Sequence, residues 1–210
     1  MFKFGCVALL AMACSAVVPA AHARGGFFVA GQAGQATYDD SGFDEDSADT
    51  RALSLGYRWQ AGSIAQVGVE VGGGRVDEIT QDTSFTGYYA GSDSYGMDTR
   101  YAHVGANARV SFGQDSRWFA IGRMGYMGYQ QDLSHSYTEY QGGQFLYSGE
   151  DTFSEDGGGA YFGGGLGMDI TPNFNVNVMV NGYAYSGTDY DGNVDEDTAS
   201  TTTLGLELRF

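Results

Sequence analysis

Beyond residue 23 the 210-residue chain contains no cysteine, because Cys6 and Cys14 both precede that point. Disulfides, thiol catalysis and thiolate metal sites are therefore excluded from the remainder. Bases are scarce as well: Lys plus Arg total 10 against 26 Asp plus Glu, a formal net charge of −16. A nucleic-acid binder needs a basic footprint, so that class is excluded. No apolar run approaches the roughly 18 residues that a membrane-spanning helix requires. Lys, Glu and Leu are too few, and glycine too frequent, for a helical bundle. Glycine supplies 34 residues, roughly twice its ordinary share of about 7%. Tyrosine and phenylalanine add 15 and 13, and that aromatic content argues against disorder.

The N-terminal end reads as a cleaved secretory signal over residues 1–23. Lys3 is its single positive charge, 6–18 is a short apolar stretch, and Ala21-His22-Ala23 is a small-x-small cleavage site. The mature chain then starts at Arg24. At the other end Leu204, Leu206, Leu208 and Phe210 alternate with Thr203, Gly205, Glu207 and Arg209. Strict period-two alternation predicts a strand with one apolar and one polar face. A last strand that stops on Phe resembles the C-terminal signature of bacterial outer-membrane β-barrels. The resemblance implies that Leu204, Leu206, Leu208 and Phe210 form an assembly signal, with the barrel-assembly machinery as a partner during biogenesis.

The same alternation recurs between these ends. It predicts strands at 26–38, 51–60, 64–76, 99–112, 117–130, 159–170, 174–186 and 198–210, although the first and fifth alternate poorly and leave their facing open. On the second, Leu53, Leu55, Tyr57 and Trp59 oppose Ser54, Gly56 and Arg58. Short turns at 60–63, 113–116 and 171–173 alternate with long connections at 39–50, 77–98, 131–158 and 188–197. Transmembrane barrels have short periplasmic turns and longer extracellular loops. The expected fold is all-β: an eight-stranded antiparallel up-and-down transmembrane β-barrel over residues 24–210, with four long acidic extracellular loops and both termini in the periplasm. Tyr57, Trp59, Phe112, Trp118, Phe174 and Phe210 fall near the short turns and would form the periplasmic aromatic girdle. A soluble lipocalin-like barrel is the alternative, with its apolar face turned inward. The polar face here is mostly Gly, Asn, Ser and Thr, a poor surface for water but a suitable filling for a narrow lumen.

Most acids fall in the long connections; Asp115 sits in a turn, and Glu70, Asp169 and Glu207 lie within strands. Those three share the polar face with Arg58, Arg109, Arg123 and Arg209. A one-residue slip would turn a strand's charges toward lipid, at about 2–4 kcal/mol for each Arg at the bilayer midplane. An unpaired charge in a narrow interior is also costly. The expectation is a lumenal ion-pair network that plugs the barrel; the alternative is isolated charges wetted near the ends, most of all for Arg209. Arg51, Arg75 and Arg100 lie at the long-loop ends of neighbouring strands and point outward by parity. They suit lipopolysaccharide phosphates, since guanidinium binds phosphate bidentately; pairing with loop acids is the alternative, and a bulge at the Gly72–Gly74 run would reverse Arg75.

Candidate chemistry is thin. A lipid A hydrolase needs a Ser nucleophile, a His base and an orienting acid within reach. His135 stands between Ser134 and Ser136 near Glu139 in a polar connection, and His103 faces the lumen; neither makes a hydrolase pattern. Asp189, Asp191, Asn193 and Asp195 alternate somewhat like a calcium loop, but Gly192 is misplaced for an EF-hand, so only weak divalent binding is suggested. No cofactor is expected. In the third long connection, Gly142-Gly143 is a plausible hairpin turn that would carry Tyr137, Tyr140, Phe145 and Tyr147 as interaction anchors.

On the signal sequence, the amphipathic strands and the Leu204–Phe210 ending, the chain resembles the OmpA/OmpX-like small outer-membrane barrels. That resemblance implies a bacterial outer-membrane location, with lipid and lipopolysaccharide as surroundings and a protruding extracellular sheet at the Gly142-Gly143 hairpin. It leaves three readings of function: a non-enzymatic surface protein, structural in the envelope or contacting an unidentified outside partner through acidic, aromatic loops; a small gated pore; or a lipid A-modifying enzyme.

Overall fold

The computed structural model describes residues 25–38, 46–188 and 194–210. Its strands are β1 (Gly26–Tyr38), β2 (Ser47–Gln60), β3 (Ala65–Phe85), β4 (Tyr89–Ser111), β5 (Trp118–Gln141), β6 (Gln144–Thr171), β7 (Phe174–Thr188) and β8 (Val194–Arg209). Each pairs antiparallel with the next, and β8 closes the ring on β1 through Val29↔Leu208 and Tyr38↔Ala199. No described residue is helical.

The wall is inverted relative to a protein dissolved in water. Leu53 and Val104 stand outside with 60% and 59% of their surface bare, whereas Arg58, Glu207 and Asn175 are 2%, 3% and 0% exposed. Burying charge while baring aliphatics is favourable only where hydrocarbon surrounds the wall, which excludes the lipocalin-like arrangement. Register enforces the facing, because successive side chains point to opposite faces. The two ambiguous strands obey it too: Phe28, Ala30, Ala36 and Tyr38 of β1 point inward, as do Phe119, Ile121, Arg123, Met127 and Tyr129 of β5.

Glycine explains how so narrow a lumen accepts large side chains. On the inner face of β6, a Cβ at Gly163, Gly165 or Gly167 would collide with Asn181, Met179 or Phe119 respectively. Side chains of β5 and β7 therefore lie across a smooth glycine track on β6, and the lumen is filled mainly from the other walls.

Two of the expected loops are strands. Segments 77–98 and 131–158 continue β3 into β4 and β5 into β6, with pairing to Phe85↔Gly91 and Gln141↔Gln144. Pairing between β2 and β3 stops at Thr50↔Val76, and between β6 and β7 at Gly158↔Ser186. A four-stranded sheet, β3-β4-β5-β6, thus rises beyond the closed barrel. Only its base has an apolar face, where Ile79, Met97 and Leu133 pack with Ala36, Tyr38 and Val76; further out both faces meet water, so no strict apolar period is required. Gly142 and Gly143 turn the β5–β6 hairpin with φ of 57° and 81°, the left-handed pair that a two-residue type I′ turn requires.

Candidate functional site

The lumen is organised around Glu207 and Glu70. Arg58 of β2 grips Glu207 of β8 bidentately, Nη1 to Oε1 at 2.7 Å and Nη2 to Oε2 at 2.8 Å. Asn175 donates to Oε1 at 2.9 Å. Arg58 Nε donates to Asn107 Oδ1 at 2.7 Å, and Asn107 Nδ2 to Glu70 Oε2 at 3.1 Å. Glu70 Oε1 also accepts from the Tyr161 hydroxyl at 3.0 Å and lies 3.8 Å from Arg123 Nη1. Arg123 in turn donates to Asn181 and Gln32. Nearer the short-turn mouth, Arg109 and Arg209 both bind Asp169, at 2.5 and 2.6 Å. Arg58, Glu70, Arg109, Arg123, Asp169, Glu207 and Arg209 are therefore all brought into one lumen, in two linked clusters. The guanidiniums of Arg58 and Arg109 also lie over the Phe28 and Phe119 rings, at 4.0 and 3.8 Å, which shields part of each cation.

Above this polar layer sits one that sequence reasoning missed. Tyr38, Tyr129, Tyr161, Tyr183 and Tyr185 are buried inside the barrel with Tyr101 beside them. Tyr129 packs on Tyr185 at 4.9 Å between ring centroids and Tyr101 on Tyr183 at 5.9 Å. Space of about 40 Å³ remains among them, room for ordered water. Strand parity is the signal that finds them, since Tyr101, Tyr129 and Tyr183 share the lumen parity of His103, Met127 and Asn181. At the other end the lumen opens into a cavity of about 770 Å³ lined by Arg58, Arg109, Asp169, Arg209 and Phe210, among others. Among the described residues the lumen is open at the short-turn end and narrows to the tyrosine layer toward the other.

Arg51, Arg75 and Arg100 stand on the outer wall in one row, in direct register as Arg51↔Arg75 and Arg75↔Arg100. No reversal occurs at the Gly72–Gly74 run, and the register shift falls later, between Val76 and Ile79. The row is also paired: Arg51 and Arg75 reach Asp77 at 2.5 and 3.3 Å, and Arg100 reaches Asp98 and Asp132 at 3.4 and 3.9 Å. The Ser154 hydroxyl donates to Asp132 at 2.5 Å and holds that carboxyl below its ordinary value, so it stays ionised beside Arg100 in mild acid. More than half of each guanidinium side chain remains exposed, leaving N–H groups for a second acceptor.

Tyr137, Tyr140, Phe145 and Tyr147 lie on the protruding sheet. His135 stacks on Tyr95 at 4.3 Å and neighbours Tyr137, which meets Tyr147, while Tyr140 meets Phe145 across the hairpin. His135 contacts Asp93 at 3.3 Å. Ser134 and Ser136 flank it on a strand and so point to the opposite face. His103 Nε2 lies 3.7 Å from Glu70 Oε1 inside the barrel, where Tyr161 rather than a serine hydrogen-bonds the acid. Neither histidine completes a nucleophile–base–acid set. Asp189, Asp191 and Asn193 lie outside the described residues, as does the side chain of Asp195. Among the described residues, no cluster of His, Cys, Asp and Glu is arranged to hold a metal ion.

Comparison with known proteins accords with this architecture. The family model for the outer membrane protein beta-barrel domain matches residues 6–210. Ail, the attachment invasion locus protein of Yersinia pestis, superposes with a TM-score of 0.51 at 15% identity, covering 89% of this chain and 97% of that one. The same protein in complex with the heparin analogue sucrose octasulfate gives 0.50 at 14% identity, again over 89% and 97%. Neisserial surface protein A gives 0.45 at 14% identity over 88% and 97%. At these identities the likeness to Ail is one of fold. A comparison with curated proteins finds no match. The chain, with its inverted wall and closed ring of eight antiparallel strands, belongs to the outer membrane protein β-barrel domain family, and its place is the bacterial outer membrane.

Proposed function

We propose that this is a non-enzymatic surface protein whose sealed barrel anchors an acidic sheet outside the cell for contact with an external partner. The observation that carries the reading is the protruding sheet itself. Among the described residues, segments 77–85 and 144–154 have no strand partner on their outer sides. Free strand edges are templates for another chain, and the Tyr and Phe rings beside them are frequent binding anchors. The sheet segments 77–98 and 131–158 hold no Lys or Arg and many acids, so edge-to-edge association of two copies is opposed by like charge. Ail, the fold relative, is named for attachment and invasion.

A barrel-preserving trim tests this. Removing residues 81–95 and 136–150 leaves Thr80↔Gly96 and His135↔Asp151 as the last pairs. The trimmed protein should keep heat-modifiable gel mobility yet lose the adhesion that the full chain confers on expressing cells. Equal adhesion by both forms would overturn the reading.

The pore reading is disfavoured by the tyrosine layer and the ion pairs. Wild-type protein in planar bilayers should show no steady conductance, and a stable open level would restore the pore. Residues 1–23 act in this reading as a cleaved export signal, and Leu204, Leu206, Leu208 and Phe210 as the assembly signal. The Arg51, Arg75 and Arg100 row holds lipopolysaccharide phosphates alongside its own aspartates. Replacing all three by Gln should lower lipopolysaccharide co-purification several-fold; retention at the wild-type level would reduce the row to intramolecular pairing.

A further inference from the structure

We infer that the periplasmic cup is a binding site for a small oxyanion, a phosphate or carboxylate group entering from the periplasm. The cavity of about 770 Å³ is lined by three guanidiniums, those of Arg58, Arg109 and Arg209. Arg58 is fully engaged: Glu207 takes both its terminal nitrogens and Asn107 its Nε. Arg109 and Arg209 are not. They share one carboxylate, Asp169, each through a single terminal nitrogen. Their Nε–H groups have no acceptor, and Arg109 is only 4% exposed. The nearest other acid oxygen, Glu207 Oε1, is 4.0 Å from Arg209 Nε and already accepts from Arg58 and Asn175.

Two guanidiniums share the single carboxylate of Asp169, and the only further ion pair of either among the described residues, Arg209 to Glu207 at 4.0 Å, is long and falls on an oxygen already held by Arg58 and Asn175, which leaves the cluster short of acceptors in a half-enclosed site. A buried guanidinium is costly when its N–H groups find no acceptor, and its planar fork matches the geometry of carboxylate and phosphate oxygens. An oxyanion seated between Arg109 and Arg209, opposite Asp169, would balance the cluster. The neutral side chains of Gln60 and Asn173 lie in the same wall; each amide nitrogen gives one N–H to a backbone carbonyl, of Gly62 and Arg209 respectively, and keeps a second for the rest of such a molecule. Asp169 competes with the ligand for the two arginines, so it tunes the site downward. This inference stands apart from the surface role proposed above, because it concerns the opposite end of the barrel.

The test uses the full mature chain refolded in uncharged detergent, at constant ionic strength balanced with chloride. Inorganic phosphate and acetate are titrated separately while the arginine Nε–H resonances are followed by NMR. Resonances of Arg109 and Arg209 should shift saturably. Those of Arg58 and Arg123, whose Nε–H groups are bonded to Asn107 and Asn181, should stay in place. A response to phosphate alone assigns a phosphate-bearing ligand, and a response to acetate as well assigns a carboxylate-bearing one. Arg209→Gln, at the open end, should weaken binding about tenfold or more, and Asp169→Asn should tighten it. The proposal is overturned if neither anion gives saturable shifts in the wild type. It is equally overturned if all four arginines move together, or if Asp169→Asn leaves the affinity unchanged or lower. Should either variant fail to refold, the wild-type titration with its two internal controls still decides the question.

Discussion

Replacing Glu207 by alanine should destabilise the folded barrel by about 3–5 kcal/mol, the cost of stranding a buried cation. Arg58 is 2% exposed and both its terminal nitrogens are committed to Glu207. Once that carboxylate is gone, the side-chain hydrogen bond left to Arg58 is the one from Nε to Asn107, which itself donates to Glu70. Asn175 loses its acceptor as well. Equilibrium urea unfolding in lipid vesicles, read by the loss of heat-modifiable mobility, measures the effect. The double variant Arg58→Met with Glu207→Leu removes both charges and should be less destabilised than Glu207→Ala alone, since a lost pair costs less than a broken one. A Glu207→Ala protein as stable as the wild type would mean that water reaches Arg58 and that the lumen is not dry.

Val71→Arg should cost about 2–4 kcal/mol in the same assay. Val71 points outward between Leu55 of β2 and Val104 of β4. On β3 it is midway between Val67, paired with the girdle residue Trp59, and Arg75 of the outer row. From Trp59 to Arg51 is the strand length that a tilted span of about 9–11 residues requires. The control is Thr152→Arg on the exposed face of the protruding sheet, which should change stability by less than about 0.5 kcal/mol, as surface changes ordinarily do. If Val71→Arg proved as harmless as the control, the wall would be facing water.

Facing was the most legible property of this chain. Leu204 to Phe210 and Leu53 to Trp59 alternate without error, and the desolvation cost of an outward Arg109 or Glu207 fixes which side is which. Pairing was less legible. That Arg109 meets Asp169 while Arg58 meets Glu207 depends on how far the strands are staggered around the ring, and stagger leaves no mark on any one strand. The tyrosine layer was missed because Tyr101, Tyr129 and Tyr185 fall near the ends of the strands that alternation predicts, where aromatic residues are equally at home outside in a girdle. The protruding sheet was hidden for a simpler reason. Its outer face carries Thr80, Ser94, Ser134, Thr138 and Ser154, and beyond the apolar base at Ile79, Met97 and Leu133 both faces are wetted and need no hydrophobic period. Only the Gly142-Gly143 turn betrayed part of it, through the backbone conformation those two residues share.

The protruding sheet has a consequence for anyone mapping the protein on living cells. Between Arg75 and Arg100, and again from Arg123 to Arg209, there is no Lys or Arg. Trypsin therefore finds no bond to cut anywhere in the part that stands furthest out, and cells displaying the protein will look as though they hide it. Chymotrypsin, which cuts after aromatic residues, meets Tyr88, Tyr89 and Phe145 at the hairpin tips. It is the protease whose fragments will report which way the molecule points.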